Sequence, residues 1–145
     1  MVKATPKNVI MISIHPEFAH AIFRGEKKIE FRKINVPKHI KHVVMYVTAP
    51  EARITGYFSV KDVVDAKPSE LWKKFREVSG TTKEFFFKYY GNQDVGRGFL
   101  VGEVEVLLNP IKLNQIAHGS KPPQSFTYVG SSLWKTLKRR KKQVI

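Results

Sequence analysis

The sequence predicts a single mixed domain of the α/β (α+β) class. Short apolar runs at Val9–Ile14 and Val43–Val47 have strand length, Lys27–Lys33 and Arg53–Asp62 alternate with period two, and segments of helical spacing punctuated by Pro or Gly lie between them. With 145 residues, 42% of them apolar, and 10 Phe, 5 Tyr and 2 Trp, the chain fills one core, so residues 1–145 are read as one unit.

Val9–Ile14 reads as a buried strand. Pro16 then opens a short helix at a position where its missing N–H costs nothing, Phe18, Ala21 and Ile22 follow at helical spacing, and Gly25 stops it. From Lys27 to Lys33 the alternation turns Ile29 and Phe31 to the core and Lys28, Glu30 and Arg32 outward, as in a half-exposed strand that Pro37 breaks. Val43–Val47 is a central strand covered on both faces, ended by Thr48, Ala49 and Pro50. In Arg53–Asp62, Ile54, Phe58 and Val60 share one face, and Gly56 interrupts the row with a bulge or a close backbone approach. Pro68–Val78 and Thr81–Tyr90 are helices, the second with a capping box at Thr81 and Glu84. Phe99–Leu108 is a strand resumed at Pro110–Leu113, Asn114–Val129 is a loop, and Ser131 or Ser132 caps a basic helix through Lys142, within residues 131–145.

Charge narrows the function classes. The 26 Lys and Arg against 12 Asp and Glu give +14; setting aside the six positives Lys135, Lys138, Arg139, Arg140, Lys141 and Lys142 leaves +8 on the rest. Such a surplus attracts polyanions; its plainer reading is a solubilising surface. Zero cysteines exclude disulfides, thiolate metal sites and a cysteine nucleophile. The five histidines lack metal-site spacing, so no metal and no cofactor is expected. No apolar run reaches the roughly 20 residues of a membrane span, and Met1–Asn8 has no signal-like apolar region, which predicts a cytoplasmic protein away from membranes.

The stretch Ile12–Lys33, ISIHPEFAHAIFRGEKKIEFRK, resembles the opening signature of ASCH domains, a branch of the PUA-like superfamily: strand, short helix, glycine followed by lysine, then a strand with Glu and Arg. Tyr46–Phe58, YVTAPEARITGYF, is similar to the Tyr-x-Thr-x-Pro loop of one subgroup, and Pro122–Tyr128, PPQSFTY, to its late Pro-Pro-Gln-Ser-Phe segment. The resemblance implies a small, mostly antiparallel PUA-like β-barrel with helices closing its ends. It also implies a ligand with a base, a ribose or a phosphate, since relatives are RNA-binding modules, small ribonucleases, or amidohydrolases on modified cytidine nucleosides.

Within that frame Lys27, Glu30 and Arg32 form the first candidate site: two cations suit a phosphodiester or ribose edge, and the carboxylate orients them or acts as a base. The alternative is a surface Glu30–Arg32 ion pair. Thr48 and Arg53, in the loop after the central strand, line the same cleft by resemblance, or form an ordinary turn. Gln124, Ser125 and Tyr128 offer an amide and hydroxyls for base edges, against a loop held by local hydrogen bonds. Trp72 is the tryptophan available for stacking, whereas Trp134 docks the basic helix, whose Lys138, Arg139 and Arg140 add nonspecific phosphate contacts. In Phe85–Phe87 the three rings cannot all face one way, so one is exposed.

The leading expectation is a monomeric RNA-binding module without catalysis, with single-stranded DNA as the second nucleic acid. The alternative is a metal-independent ribonuclease in which Lys27, with Glu30, Tyr46, Ser125 and Tyr128 nearby, cleaves RNA. An amidohydrolase ranks lower, because Glu30 stands where those relatives place a nucleophilic threonine three residues after the lysine. A regulatory interaction domain with a basic tail is the remaining class.

Overall fold

A computed structural model describes residues 7–117 and 119–144; the expectation for Met1–Asn8 falls largely outside them. The elements are β1 (Val9–Ile14), α1 (Pro16–Phe23), β2 (Ile29–Lys33), β3 (His42–Val47), β4 (Arg53–Ala66), α2 (Pro68–Phe75), α3 (Lys83–Tyr90), β5 (Gly96–Ile111), β6 (Phe126–Tyr128) and α4 (Ser131–Arg139). The strands form one sheet in the order β2-β5-β4-β3-β1-β6, antiparallel except for the parallel β1–β3 pair. Since β2 and β6 end the order and each pairs on one side, the sheet is a curled half-barrel. The expected antiparallel β-barrel thus takes the form of a half-barrel.

Side-chain alternation explains why β1 and β3 read as unbroken apolar runs. Ile10, Ile12 and Ile14 pack with Val43, Met45, Val47 and Phe58 against Ala19 and Ile22 of α1, while Val9, Met11, Val44 and Tyr46 pack on the other face beneath Leu133, Trp134 and Leu137 of α4. Both faces are core. A third cluster joins Ile29 and Phe31 of β2 to Leu71 and Phe75 of α2 and Phe86 and Tyr90 of α3. The register shifts between Ile54 and Gly56, and a Cβ on Gly56 would lie 2.3 Å from the Glu105 carbonyl oxygen, so the glycine marks both a bulge and a close approach. That shift corrects the shared inner face: Ile54 joins the α4 side and Phe58 the α1 side.

Several boundaries also change. The expected loop Asn114–Val129 contains β6, whose Phe126 and Tyr128 pair with Ile12 and Ile10; three residues shortly after a pair of prolines carry too little alternation to announce a strand. The cap of α3 is Thr82, whose Oγ1 accepts from the Phe85 N–H at 3.1 Å, not Thr81. Gly130, rather than Ser131 or Ser132, precedes α4, which stops at Arg139 instead of Lys142. Beyond it the chain pairs with β5, through Leu108 N–H to the Lys141 carbonyl (2.9 Å) and Gln143 N–H to the Val106 carbonyl (2.7 Å). Arg97 holds Asp65 in a two-pronged pair (2.7 and 2.8 Å) and donates to the carbonyls of Ile34 and Val36, which fixes the chain leaving β2. Among the described residues, no helix is long and apolar enough to cross a membrane.

Candidate functional site

The end of α1 sets the site. Gly25 takes a φ of +78°, and the N–H groups of Glu26 and Lys27 both donate to the Ala21 carbonyl, which turns the chain back under α1 before β2 begins. Lys27 consequently points inward. It is 2% exposed, its Nζ donates to the Ser79 carbonyl at 2.5 Å, lies 3.7 Å from Glu30 Oε1, and stands 5.4 and 5.2 Å from the ring centres of Phe18 and Phe31. Glu30 Oε2 accepts from Arg32 Nε (3.1 Å) and Nη2 (2.7 Å), and Nη2 also donates to the Ser13 carbonyl (2.9 Å). Glu30 and Arg32 were expected on an exposed face, with Lys27 at the mouth of the strand; Glu30 is 6% exposed, so the surface ion pair is corrected to a largely buried triad. The reason is the sheet's curl and the approach of α3, which give β2 a covering on both faces.

A cleft of about 140 Å³ opens beside the triad. Rings of Phe18, Phe31, Phe85, Phe86 and Tyr89 form much of its wall, and Ser13, Glu30, Arg32 and Thr81 supply polar groups. Thr81 Oγ1 is buried without a hydrogen-bond partner. Phe85 is the exposed member of its aromatic run. Burial pushes the Lys27 ammonium pKa down, against an opposing pull from Glu30, and burial pushes the Tyr89 phenol up. Among the described residues, no three His, Asp or Glu side chains gather as a metal site would require.

The remaining candidates are dispersed around this cleft. Ser13 Oγ donates to the Pro123 carbonyl at 2.6 Å and Asn35 Nδ2 to Ser125 Oγ at 3.4 Å, so the segment holding Gln124 and Ser125 runs along the cleft's edge. Tyr46 sits opposite Ser13 in register, buried on the α4 side. The Thr48 N–H donates to the Ile14 carbonyl, which sets Thr48 just past the wall, and exposed Arg53 pairs with Val47. Tyr128 is exposed on β6, outside the cleft wall. Trp72 is half-buried, with its ring centre 5.2 and 6.3 Å from those of Phe86 and Phe87, and does not line the cleft. Trp134 docks on Tyr57 and His42 as expected of it, and Lys138, Arg139 and Arg140 lie at the exposed end of that helix.

Reading the sequence missed Thr81 as a residue of the cleft wall. The available signal was Thr82, an equally good cap one residue on, which releases Thr81 from that duty. Gly80 supports the site as well: its φ is +64°, and an added Cβ would lie 2.6 Å from Lys27 Cβ. Gly80→Ala is expected to displace the Lys27 stem and to cost about 1–3 kcal/mol, read from the urea midpoint; an unshifted midpoint would show that the Ser79–Thr81 turn gives way freely.

The family model described as ASCH domain matches residues 12–117. The chain is 27% identical over 122 residues to a protein of Zymomonas mobilis subsp. mobilis named ASCH domain-containing ribonuclease, covering 82% of each. It is 28% identical over 121 residues to a large ribosomal subunit protein of Ureaplasma parvum serovar 3, covering 83% of this chain and 39% of that protein. Among solved structures, ASCH from Zymomonas mobilis superposes with a TM-score of 0.82 at 24% identity, over 94% of this chain and 98% of the other. The N-terminal domain of Staphylothermus marinus McrB gives 0.60 at 11% identity, over 93% and 95%. These structural likenesses establish the fold alone.

Proposed function

The chain belongs to the ASCH domain family, and from that premise we propose that it binds RNA by taking one unpaired base into the cleft beside Glu30. The observation that carries this reading is a buried carboxylate, pinned by Arg32, in an aromatic-walled cleft that also holds an unpartnered Thr81 hydroxyl. Lys27 is engaged by Ser79 and Glu30, and Arg32 by Glu30 and Ser13. Both cations are already paired within the protein. A base suits such a cleft better: its face stacks on rings, its amino group donates to Glu30, and Thr81 pairs with a second edge atom. The net charge of +14, most of it outside the cleft, serves the phosphates. RNA is the first ligand and single-stranded DNA the second.

The second reading, metal-independent strand cleavage, is favoured by the ribonuclease name of the Zymomonas relative. Burial brings the Lys27 amine nearer to its neutral, basic form, and the Ser125 hydroxyl lies at the cleft's edge. One experiment addresses both. End-labelled, mixed-sequence single-stranded RNA is titrated with protein in EDTA and then run on a denaturing gel. Binding with intact RNA, weakened roughly fivefold to tenfold by the near-isosteric Thr81→Val, is the expected result. Shortened products that disappear with Ser125→Ala would favour cleavage, and affinity indifferent to Thr81→Val would remove the base-in-cleft reading.

A further inference from the structure

The half-barrel leaves a seam between its two terminal strands, β2 and β6. Asn35, just after β2, donates across it to Ser125, just before β6. A lysine lies over a tyrosine ring on each side: Lys33 Nζ is 5.3 Å from the Tyr89 ring centre on the β2 side, and Lys7 Nζ is 5.5 Å from that of Tyr128 on the β6 side. The first ring belongs to the cleft wall. The second does not, yet it is held in place, edge-on to Phe126 at 5.6 Å and 39% exposed on one of the few large rings left in solvent.

We infer that this seam is the track of a single-stranded nucleic acid, with Tyr128 under Lys7 stacking a second base outside the cleft. The inference rests on the reading of the cleft as a base site and extends it from a nucleotide to a strand. The spacing agrees. Tyr128 pairs with Ile10, and Ser13 at the cleft lies three residues further along β1, a separation of about 10 Å at the rise of a strand, which about one or two nucleotides span. An exposed ring gives a base a face to stack on, and the ammonium beside it neutralises the adjoining phosphate. A duplex keeps its bases paired and stacked internally, so it can use neither ring.

The test uses the whole chain with two probes: a mixed-sequence single-stranded RNA of about eight nucleotides, followed by fluorescence anisotropy, and a mixture of the four nucleoside monophosphates, followed by chemical-shift changes. Tyr128→Ala should weaken the oligonucleotide about tenfold and leave the monophosphate shifts in place, while Tyr128→Phe, which keeps the ring, should stay within about twofold of the parent. Thr81→Val should weaken both probes. Unchanged oligonucleotide affinity in Tyr128→Ala overturns the seam; so does equal affinity for duplex RNA, or a matching loss of monophosphate binding, which would put Tyr128 inside the cleft. Failure of the cleft reading looks different: sensitivity to Tyr128→Ala survives while Thr81→Val has no effect on either probe.

Discussion

Glu30→Leu should lower the free energy of unfolding by about 3–5 kcal/mol, because it removes the one carboxylate of a buried triad and leaves Lys27 and Arg32 facing each other uncompensated. Adding Lys27→Met to the same chain should recover part of that loss, since the second uncompensated charge goes with it. The pH dependence gives the sign independently. Burial depresses the Lys27 pKa below its ordinary 10.5 and Glu30 raises it, so without Glu30 it falls further. A lysine depressed in the folded state destabilises while it is charged, and that penalty fades as the pH rises through the folded pKa towards the unfolded one. The gap between Glu30→Leu and the parent should therefore narrow on the way to pH 10, short of the region where the buried tyrosines titrate. Urea melts at neutral and mildly alkaline pH read both effects, and a loss below about 1 kcal/mol with a constant gap would mean that the triad is solvated.

The same triad shows where a linear sequence stops being informative. Period two in Lys27–Lys33 located β2 and assigned Ile29 and Phe31 to a core, because alternation is a local property of the backbone. Whether the opposite face meets water depends on the curl of the sheet and on α3, which distant parts of the chain supply. Glu30 therefore read as exposed and is buried. The surroundings of Trp72 were out of reach for the same reason: its partners Phe86 and Phe87 lie on another helix, so its partial burial is set by docking and not by its neighbours in sequence. Elements with enough length, such as β1 and β3, were legible from unbroken apolarity, whereas β6 is held by backbone pairing to β1 and leaves no pattern of its own.

Of the candidate site, the glycine-lysine motif with its strand and the Ser125 segment were legible through resemblance, whereas the contacts that cross the open edge of the sheet were not. The chemistry changed with the geometry. Exposed cations beside a carboxylate would suit a phosphate, but a carboxylate oxygen that accepts from two nitrogens of a part-buried guanidinium suits an uncharged hydrogen-bonding edge. The positive charge that holds the backbone then has to lie elsewhere.

Replacing Lys135, Arg139, Arg140 and Lys141 together by glutamine should weaken binding to every single-stranded RNA by about a hundredfold near 0.15 M salt, and flatten the log–log salt dependence by up to roughly 2.8, if each cation neutralises one phosphate at about 0.7 of slope apiece. All four side chains are exposed, while Trp134 and Leu137 of the same helix pack against the sheet, so the substitutions take charge and spare the docking. Deleting the tail would not make so clean a test, because Lys141 and Gln143 give their backbone groups to β5. The cleft lies at β2, α1 and α3, apart from α4, so the preference among bases should be the same in the variant as in the parent. Anisotropy titrations at several salt concentrations against RNAs that differ at one position measure both quantities. A variant that keeps its affinity but loses its preference would assign base reading to α4, and the division between a reading cleft and a holding helix would be wrong.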